Sequence, residues 1–214
     1  GRAKFAYGRG VTDHEKKGWL TFREVFGYSS NIGMVKVGQK LGKEGLYKWI
    51  RRFGFGQGTG VDLPGEAVGY VAPPNRWSGI SMTSIPYGYE VTSSPLQVMC
   101  AYAAMANGGV MMRPMLVLRT EDGDGNVEKT FEPKTLRKVC SSRTADRVTA
   151  LLRWAVQYGT GTAVDMEAYP IAGKTGTAHK VLNGRYSAYN YVSSFVVYVP
   201  SDDPKYVIYV SLDD

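Results

Sequence analysis

Apolar residues recur at intervals of three and four in five stretches of the chain, at about residues 21–28, 31–41, 43–53, 95–106 and 143–157. This spacing predicts helices that each have one apolar face. Thr21 and Glu24 are spaced to cap the start of the first helix, and Gly42 is placed to end the second. Glycine, proline and serine are frequent between residues 54 and 94, so we predict an irregular surface there.

Short apolar runs near the C-terminal end predict extended structure. Strands near residues 170–181, 191–199 and 205–212 form an antiparallel meander, and Asn183-Gly184 is a strong signal for a hairpin turn. Helices on the faces of this sheet give an α/β sandwich.

A second hairpin is predicted over residues 110–132, around an acidic loop. Asp122, Asp124 and Asn126 have the spacing of the first ligands in a calcium-binding loop. The glycine that must follow and the distant glutamate are both missing. We therefore predict an ordinary turn.

The composition is that of one globular domain. The chain has 214 residues, of which 43% are hydrophobic and 12% aromatic, and no apolar run approaches the roughly 20 residues of a membrane span. Cys100 lies in an apolar helix and is distant from Cys140 in sequence, which favours two free thiols over a disulfide. His14 and His179 are isolated in sequence, so we predict neither a metal site nor a cofactor.

The net charge of +7 raises the question of a nucleic-acid partner. The densest basic run consists of Lys36, Lys40, Lys43, Lys48, Arg51 and Arg52. Its apolar neighbours are Leu46, Trp49, Ile50 and Phe53. Because these fall at helical spacing, they are predicted to face the core and to leave the charges as a solvated face. No nucleic-acid-binding motif is present, so we predict no such partner and prefer an anionic lipid or wall surface.

The run Gly-Lys-Thr-Gly-Thr near the C-terminal end carries the most chemistry. A phosphate-binding loop needs glycine where this chain has Ala168, and it must open a helix rather than a hairpin. On a strand, Lys174 supplies positive charge, and Thr175 and Thr177 supply hydroxyl donors. Gly176 leaves room for a substrate backbone. These features suit a serine acyl-transfer enzyme with a carboxylate-bearing substrate. Taken alone, they are better explained as a hairpin strand with solvent-facing polar residues.

Ser29, Ser30 and Asn31 lie between the first two predicted helices. Either serine or the asparagine can cap the second helix, and that role alone explains the triplet. A serine hydroxyl can also relay a proton, and an asparagine amide can donate and accept hydrogen bonds to a peptide. The triplet therefore has both a structural and a chemical interpretation.

Together, Ser29-Ser30-Asn31 and Lys174-Thr175-Gly176 match two of the three motifs of the penicillin-binding protein and serine β-lactamase superfamily. The chain resembles a class B penicillin-binding protein, the monofunctional peptidoglycan D,D-transpeptidase of septal or elongation type. The resemblance implies that family's fold, an antiparallel sheet flanked by helices. Further family-like stretches are Leu20–Val25, Phe53–Gly56, Leu63–Glu66, Tyr87–Val91, Ser94–Gln97, Ala106–Gly109 and Gly159–Thr162.

The nucleophile motif of the family does not occur in the sequence, because no serine is followed three residues later by lysine. In the family that motif lies some tens of residues before Ser-x-Asn, and only 28 residues precede Ser29. We therefore expect residues 1–214 to be a partial transpeptidase domain, truncated at both ends. It would lack the upstream Ser-x-x-Lys segment and the C-terminal helix. The alternative is a natural protein that kept the scaffold without the nucleophile.

The resemblance implies a role for each motif. A serine outside the chain would attack the penultimate D-Ala carbonyl of a stem peptide. Ser29 would relay a proton to the departing D-Ala, Asn31 would orient the peptide amide, and Lys174 would support the relay. Thr175 and Thr177 would bind the terminal carboxylate, and the Thr177 backbone amide would form half of the oxyanion hole.

The same resemblance implies peptidoglycan stem peptides and β-lactam antibiotics as ligands, no cofactor, and a membrane glycosyltransferase of the division or elongation machinery as a partner. It implies a location on the extracytoplasmic, periplasmic face of a bacterial membrane, with an N-terminal anchoring helix outside this chain. Two alternatives stay open: a catalytically inactive scaffold or binding module, and a β-lactamase or β-lactam sensor. The long segment between the motifs favours a transpeptidase over the second of these.

Overall fold

The computed structural model describes residues 1–5 and 10–213, apart from the side chain of Ala188. The helices are α1 (Phe22–Gly27), α2 (Asn31–Arg52), α3 (Ser81–Ser84), α4 (Pro95–Ala106) and α5 (Ser142–Tyr158). Turns of 3-10 helix occupy Pro74–Arg76, Ile85–Tyr87 and Thr162–Val164. The strands are β1 (Arg2–Ala3), β2 (Val11–Thr12), β3 (Tyr70–Val71), β4 (Val91–Thr92), β5 (Val110–Met112), β6 (Arg119–Glu121), β7 (Val127–Thr130), β8 (Thr135–Lys138), β9 (Ala172–Leu182), β10 (Arg185–Val199) and β11 (Tyr206–Asp213). Over these described residues, we find no helix that combines the length and the apolar character needed to cross a membrane.

The helices begin where side chains satisfy free backbone amides. In α1 the predicted capping box forms, with the Thr21 amide donating to Glu24 Oε2 at 2.7 Å. The helix α2 covers both of the predicted segments 31–41 and 43–53. Its backbone leaves helical geometry at Gly42, where φ is 73° and ψ is 166°. The predicted stop is therefore a kink between two helical halves, at a residue that tolerates positive φ.

The C-terminal sheet is the predicted meander. Its strands are antiparallel in the order β11-β10-β9, so β9 forms an edge. The turn between β9 and β10 lies at Asn183 and Gly184, whose φ angles of 51° and 74° fit a type I′ hairpin. On β9, Lys174 lies opposite Val196 and Thr175 opposite Phe195. This register fixes the position of the Lys-Thr-Gly stretch on an edge strand.

The helices α4 and α5 cover one face of the sheet. Tyr198 of β10 and Ala172 of β9 are fully buried in one cluster with Ala104 of α4 and Leu152 of α5. The Tyr198 hydroxyl shares a 2.6 Å hydrogen bond with that of Thr149, which keeps a buried oxygen paired. Along each strand, side chains that point to the opposite face of the sheet alternate with the buried ones. Four of them on β11 are large, apolar and exposed: Tyr206, Ile208, Val210 and Leu212.

The predicted hairpin over residues 110–132 is shorter than expected. β6 and β7 pair around the acidic loop, and Asp122 Oδ1 accepts from the amides of Asp124 at 3.0 Å and Asn126 at 2.9 Å. The ordinary turn is thus confirmed. β5, however, pairs with β8, beyond the predicted range. The sequence Thr-Leu-Arg-Lys of β8 has one apolar residue, so hydrophobic alternation does not mark it as a strand.

The second half of α2 differs from the prediction that its apolar residues all face the core and its charges are all solvated. Trp49 is 41% exposed, so the apolar stripe does not face the core along its whole length. Arg51 donates to two carbonyls of the following turn, at 3.1 and 2.6 Å, and Arg52 donates to the carbonyl of Val139 at 2.6 Å. These guanidinium groups are structural, because their several donors match carbonyls at a helix end and in a neighbouring loop. The side chains of Lys36, Lys40, Lys48 and Arg52 are exposed, as predicted for a solvated face.

Candidate active site

Lys174 of β9 and Ser29, which follows α1, meet although 145 positions separate them. The Lys174 Nζ donates a hydrogen bond to Ser29 Oγ. It also donates to Thr160 Oγ1 at 3.2 Å and to the carbonyl of Thr175 at 3.1 Å. The structure thus joins one member of each predicted motif.

The backbone between α1 and α2 presents Ser29 to this lysine. Tyr28 closes α1, and the amide of Ser30 donates to the carbonyl of Val25 at 2.9 Å. Between them, Ser29 has a φ of 55°, a left-handed conformation that is uncommon outside glycine. Ser30 caps α2, with its Oγ accepting from the amide of Gly33 at 3.0 Å. The capping role therefore belongs to Ser30, and Ser29 contacts the lysine.

The end of α1 lies on the end of α5, and this contact brings the two motifs together. A side chain at Gly27 would overlap the ring of Trp154. The carbonyl of Gly27 accepts from the amide of Thr160 at 3.1 Å. Tyr28 packs edge-on against Trp154, with ring centroids 5.4 Å apart. Because Gly27 has no side chain, the loop of Ser29 can approach the loop of Thr160.

Thr160 completes a cluster of hydroxyls around the ammonium group. Its Oγ1 lies 2.6 Å from Oγ1 of Thr175 and accepts from Lys174. Thr160 is not among the predicted site residues, although it lies in the family-like stretch Gly159–Thr162. A threonine between two glycines directly after a helix is the sequence signal that marks it.

Burial lowers the pKa of Lys174 to about 8. The side chain is partly buried, and the loss of hydration disfavours its charged form. The groups that reach it are the hydroxyls of Ser29, Thr160 and Thr175 and one backbone carbonyl. Such neutral acceptors offset less of the lost hydration than a carboxylate does. At neutral pH this lysine carries a proton that it can give up readily.

Asn31, Gly176 and Thr177 make other contacts. Asn31 Nδ2 donates to the carbonyl of Thr12 at 2.9 Å. Thr177 is exposed on the edge strand. A Cβ on Gly176 would come within 2.8 Å of Ser194 Oγ on the neighbouring strand, so a side chain there would displace that hydroxyl. Of the predicted site residues, three belong to the hydroxyl cluster: Ser29, Lys174 and Thr175. Asn31, Gly176 and Thr177 lie outside it.

Residues 3–214 match the family of the penicillin binding protein transpeptidase domain. The chain belongs to this family. Stage V sporulation protein D of Bacillus subtilis (strain 168) is 38% identical over 200 residues, which cover 92% of this chain and 31% of that protein. A protein of Pseudomonas aeruginosa named "Probable peptidoglycan D,D-transpeptidase PbpC" is 31% identical over 207 residues, which cover 96% of this chain and 35% of that protein.

A solved structure of the family has the same fold. The crystal structure of penicillin binding protein 3 from Mycobacterium tuberculosis, complexed with aztreonam, superimposes with a TM-score of 0.90 at 37% sequence identity. The match covers 97% of this chain and 48% of that one. The predicted fold class and the resemblance to class B penicillin-binding proteins are confirmed. The chain spans about a third of the length of the curated relatives it matches.

In this transpeptidase-family chain, an aromatic cluster joins the β9–β10 hairpin to the loop at residues 87–90. Tyr89 packs edge-on against Tyr186, with centroids 4.8 Å apart, and His179 lies against Tyr191 at 4.5 Å. Burial raises the pKa of Tyr89, as expected for a phenol withdrawn from water. His179 is isolated in sequence but not in space. The cluster holds the hairpin end of the strand that carries the lysine.

Proposed function

We propose that this chain forms one wall of the active site of a serine-type peptidoglycan D,D-transpeptidase, in the D-Ala-D-Ala transpeptidase and carboxypeptidase family. The observation that carries the proposal is the hydrogen bond from Lys174 to Ser29. It pairs an amine whose pKa is about 8 with a hydroxyl on a strained loop. Such a pair can move protons near neutral pH. The name of the relative from Pseudomonas aeruginosa supports the same activity.

The pair suits the step in which the leaving group departs. In the proposed reaction, a serine outside these residues gives its proton to its lysine partner as its oxygen bonds to the penultimate D-Ala carbonyl carbon. The bond from that carbon to the terminal D-Ala nitrogen breaks, and the departing amine must gain a proton. Ser29 Oγ would pass its proton to that nitrogen and regain one from Lys174, and the proton taken from the attacking serine would restore Lys174. The hydroxyls of Thr160 and Thr175 would keep the lysine in place. An amine of a neighbouring stem peptide then takes the acyl group, which makes the cross-link.

The edge position of β9 supports binding of an extended peptide. A stem peptide can add to the free edge as a further strand. Thr175 and Thr177 would present hydroxyls to its terminal carboxylate, and the Thr177 amide would form half of an oxyanion hole. Gly176 would leave the strand surface open there. Asn31 would orient the peptide amide after exchanging its hydrogen bond to the backbone for one to the substrate.

We propose that the nucleophile comes from outside these 214 residues, because no serine among them has lysine three residues later. The product of the complete reading frame is then expected to form a covalent adduct with a labelled penicillin. The 214-residue chain is expected to form none.

Mass spectrometry after incubation with the penicillin tests this. An adduct on the short chain would show that one of its own serines is the nucleophile. Failure of the longer protein to react, with folding verified by circular dichroism, would count against a transpeptidase. Lys36→Ala, on the exposed face of α2, is the control for Lys174→Ala, which should react at least about 10²-fold more slowly than the parent.

Stem peptides and β-lactams are the proposed ligands, the second supported by the aztreonam complex of the similar structure. We further propose that the protein is located on the extracytoplasmic face of a bacterial membrane, beside a glycosyltransferase of the division or elongation machinery. Cross-linking in intact cells, followed by mass spectrometry of the captured proteins, tests this partner. Recovery of cytoplasmic proteins alone would contradict both the partner and the location.

A binding or scaffold module is the second candidate, and the missing Ser-x-x-Lys motif favours it. Such a module would bind a stem peptide reversibly and form no adduct from any length of the gene product. A β-lactamase relative would instead form an adduct and release it quickly. Adduct formation therefore separates the module from a transpeptidase. The rate of deacylation separates the β-lactamase relative, because the adduct of a transpeptidase persists.

A further inference from the structure

Three consecutive residues at the start of α2 are held by the segment at the end of β2. Asp13 Oδ2 accepts from Ser30 Oγ at 2.7 Å, and Asp13 Oδ1 accepts from the amide of Ile32 at 3.0 Å. The carbonyl of Thr12 accepts from Asn31 Nδ2 at 2.9 Å. The Asp13 carboxylate therefore caps α2 from outside the helix.

This carboxylate fixes the side chain of Ser30. Ser30 is 5% exposed, and its Oγ donates to Asp13 while it accepts from the amide of Gly33 at 3.0 Å. A hydroxyl that uses both its donor and its acceptor is restricted to one orientation. The negative charge of Asp13 also faces the partial positive charge at the start of α2. Asp13 thus anchors the residue directly after Ser29.

Ser29 depends on such anchors because its backbone is strained. A φ of 55° at a residue other than glycine persists only where the surroundings over-determine it. On the α1 side, the Gly27 carbonyl is held by the amide of Thr160 at 3.1 Å. On the α2 side, the Ser30 amide donates to the carbonyl of Val25 at 2.9 Å, and Asp13 holds the Ser30 side chain. When Asp13 is removed, we expect the loop to relax and Ser29 to move away from the lysine.

We propose that Asp13 is a positioning residue of this site, which acts through Ser30 to keep Ser29 Oγ against Lys174 Nζ. Asp13 takes no part in the proton transfer itself. The inference deepens the proposed function and rests on it for the kinetic readout only. Titration of the lysine amine tests the positioning whether or not the protein acylates.

The experiment compares Asp13→Ala with Ser141→Ala in the product of the complete reading frame. Ser141 caps α5, where its Oγ accepts from the amide of Thr144 at 3.2 Å. Loss of this cap removes a comparable stabilising interaction at the start of α5, whereas the site lies beyond its end. Titration of the Lys174 amine is followed by NMR of protein labelled with ¹³C-lysine, and Lys174→Met assigns the signal.

Asp13→Ala is expected to raise the pKa of Lys174 by about 1, because water replaces the Ser29 hydroxyl beside the ammonium group. It should also slow acylation roughly tenfold or more, as expected when a reacting group is displaced. Ser141→Ala should change neither quantity. Asp13→Asn keeps an acceptor for the Ile32 amide and should show a smaller change in the same direction.

The proposal would be overturned if Asp13→Ala and Asp13→Asn both had the same Lys174 pKa and the same acylation rate as Ser141→Ala. If Asp13→Ala does not fold, Asp13→Asn alone decides in the same way. If the parent protein itself fails to acylate, the proposed function fails, and the Lys174 titration still decides the role of Asp13.

Discussion

Gln97, at the start of α4, has a buried polar side chain, and Lys174, on β9, has a partly buried one. Gln97 is 1% exposed. Its Oε1 accepts from the amide of Ser94 at 3.0 Å, and its Nε2 donates to the carbonyls of Gln57 at 2.6 Å and Val68 at 2.8 Å. Lys174 reaches three hydroxyls and one carbonyl. Gln97 is neutral, and its amide oxygen and nitrogen are both hydrogen-bonded. Lys174 is charged, and none of these four partners is a carboxylate.

The difference separates a structural group from a reactive one. A neutral amide whose donors and acceptor are all used stabilises the fold and has no proton to exchange. A cation that has lost hydration without gaining an opposite charge has a lowered pKa and an available proton. Residues 94–97, like the Lys-Thr-Gly stretch, are family-like in sequence. Their contacts assign them to the scaffold.

The largest expected effect is on stability, from Gln97→Ala. It removes a side chain that is 1% exposed and leaves the carbonyls of Gln57 and Val68 without this donor, so the free energy of unfolding should fall by about 3 kcal/mol. Urea denaturation measures this, and the exposed Gln39→Ala on α2 is the control. A loss below about 1 kcal/mol would show that water replaces these hydrogen bonds and would weaken the contrast with Lys174.

Lys174→Met should reverse this pattern. In the product of the complete reading frame, acylation by a labelled β-lactam should slow by roughly 10² or more, which corresponds to about 2.7 kcal/mol in the barrier. The free energy of unfolding at pH 7 should not fall, because the change removes a charge that is costly to bury. Lys36→Met, on the exposed face of α2, should change neither quantity. A clear loss of stability in Lys174→Met alone would assign the lysine to the scaffold with Gln97.

The pH dependence of stability sharpens the same contrast. Burial lowers the Lys174 pKa from 10.5 to about 8, so between these values the unfolded chain binds more protons than the folded one. The free energy of unfolding of the parent, relative to Lys174→Met, should therefore rise as pH increases from about 8 to about 10.5. Subtracting the variant cancels other groups that titrate in this window. A flat or falling difference would mean that the folded state does not disfavour the charged amine.

Tyr198→Phe should have the smallest effect. The Tyr198 hydroxyl is paired with that of Thr149 at 2.6 Å, and Thr149 keeps a second hydrogen bond to the carbonyl of Ala145 at 3.0 Å. Loss of the phenol oxygen should cost about 1 kcal/mol of unfolding free energy and leave acylation unchanged. Thermal unfolding measures the cost, with the exposed Tyr169→Phe as control. A tenfold loss of acylation would place this neutral pair in the site after all.

Features that depend on neighbouring residues were predictable. Thr21 with Glu24 marks a helix start, and Asn183 with Gly184 marks a hairpin turn, because each acts over two to four positions. Pairing of β5 with β8 was not predictable, since β8 has little apolar character and pairs through its backbone. The structural role of Arg51 was missed because its partners are carbonyls, which side-chain patterns do not report.

The sequence by itself determined the helices α1, α2, α4 and α5, the C-terminal meander, the two motifs that carry chemistry, and the absence of Ser-x-x-Lys within the 214 residues. Only the tertiary structure decided which members of those motifs meet. Ser29 and Lys174 touch because α1 lies on the end of α5 at Gly27, and because the edge strand passes beside that contact. Thr160 joins them for the same reason. A pKa near 8 follows from burial, and burial depends on residues far apart in the chain, which no local spacing records.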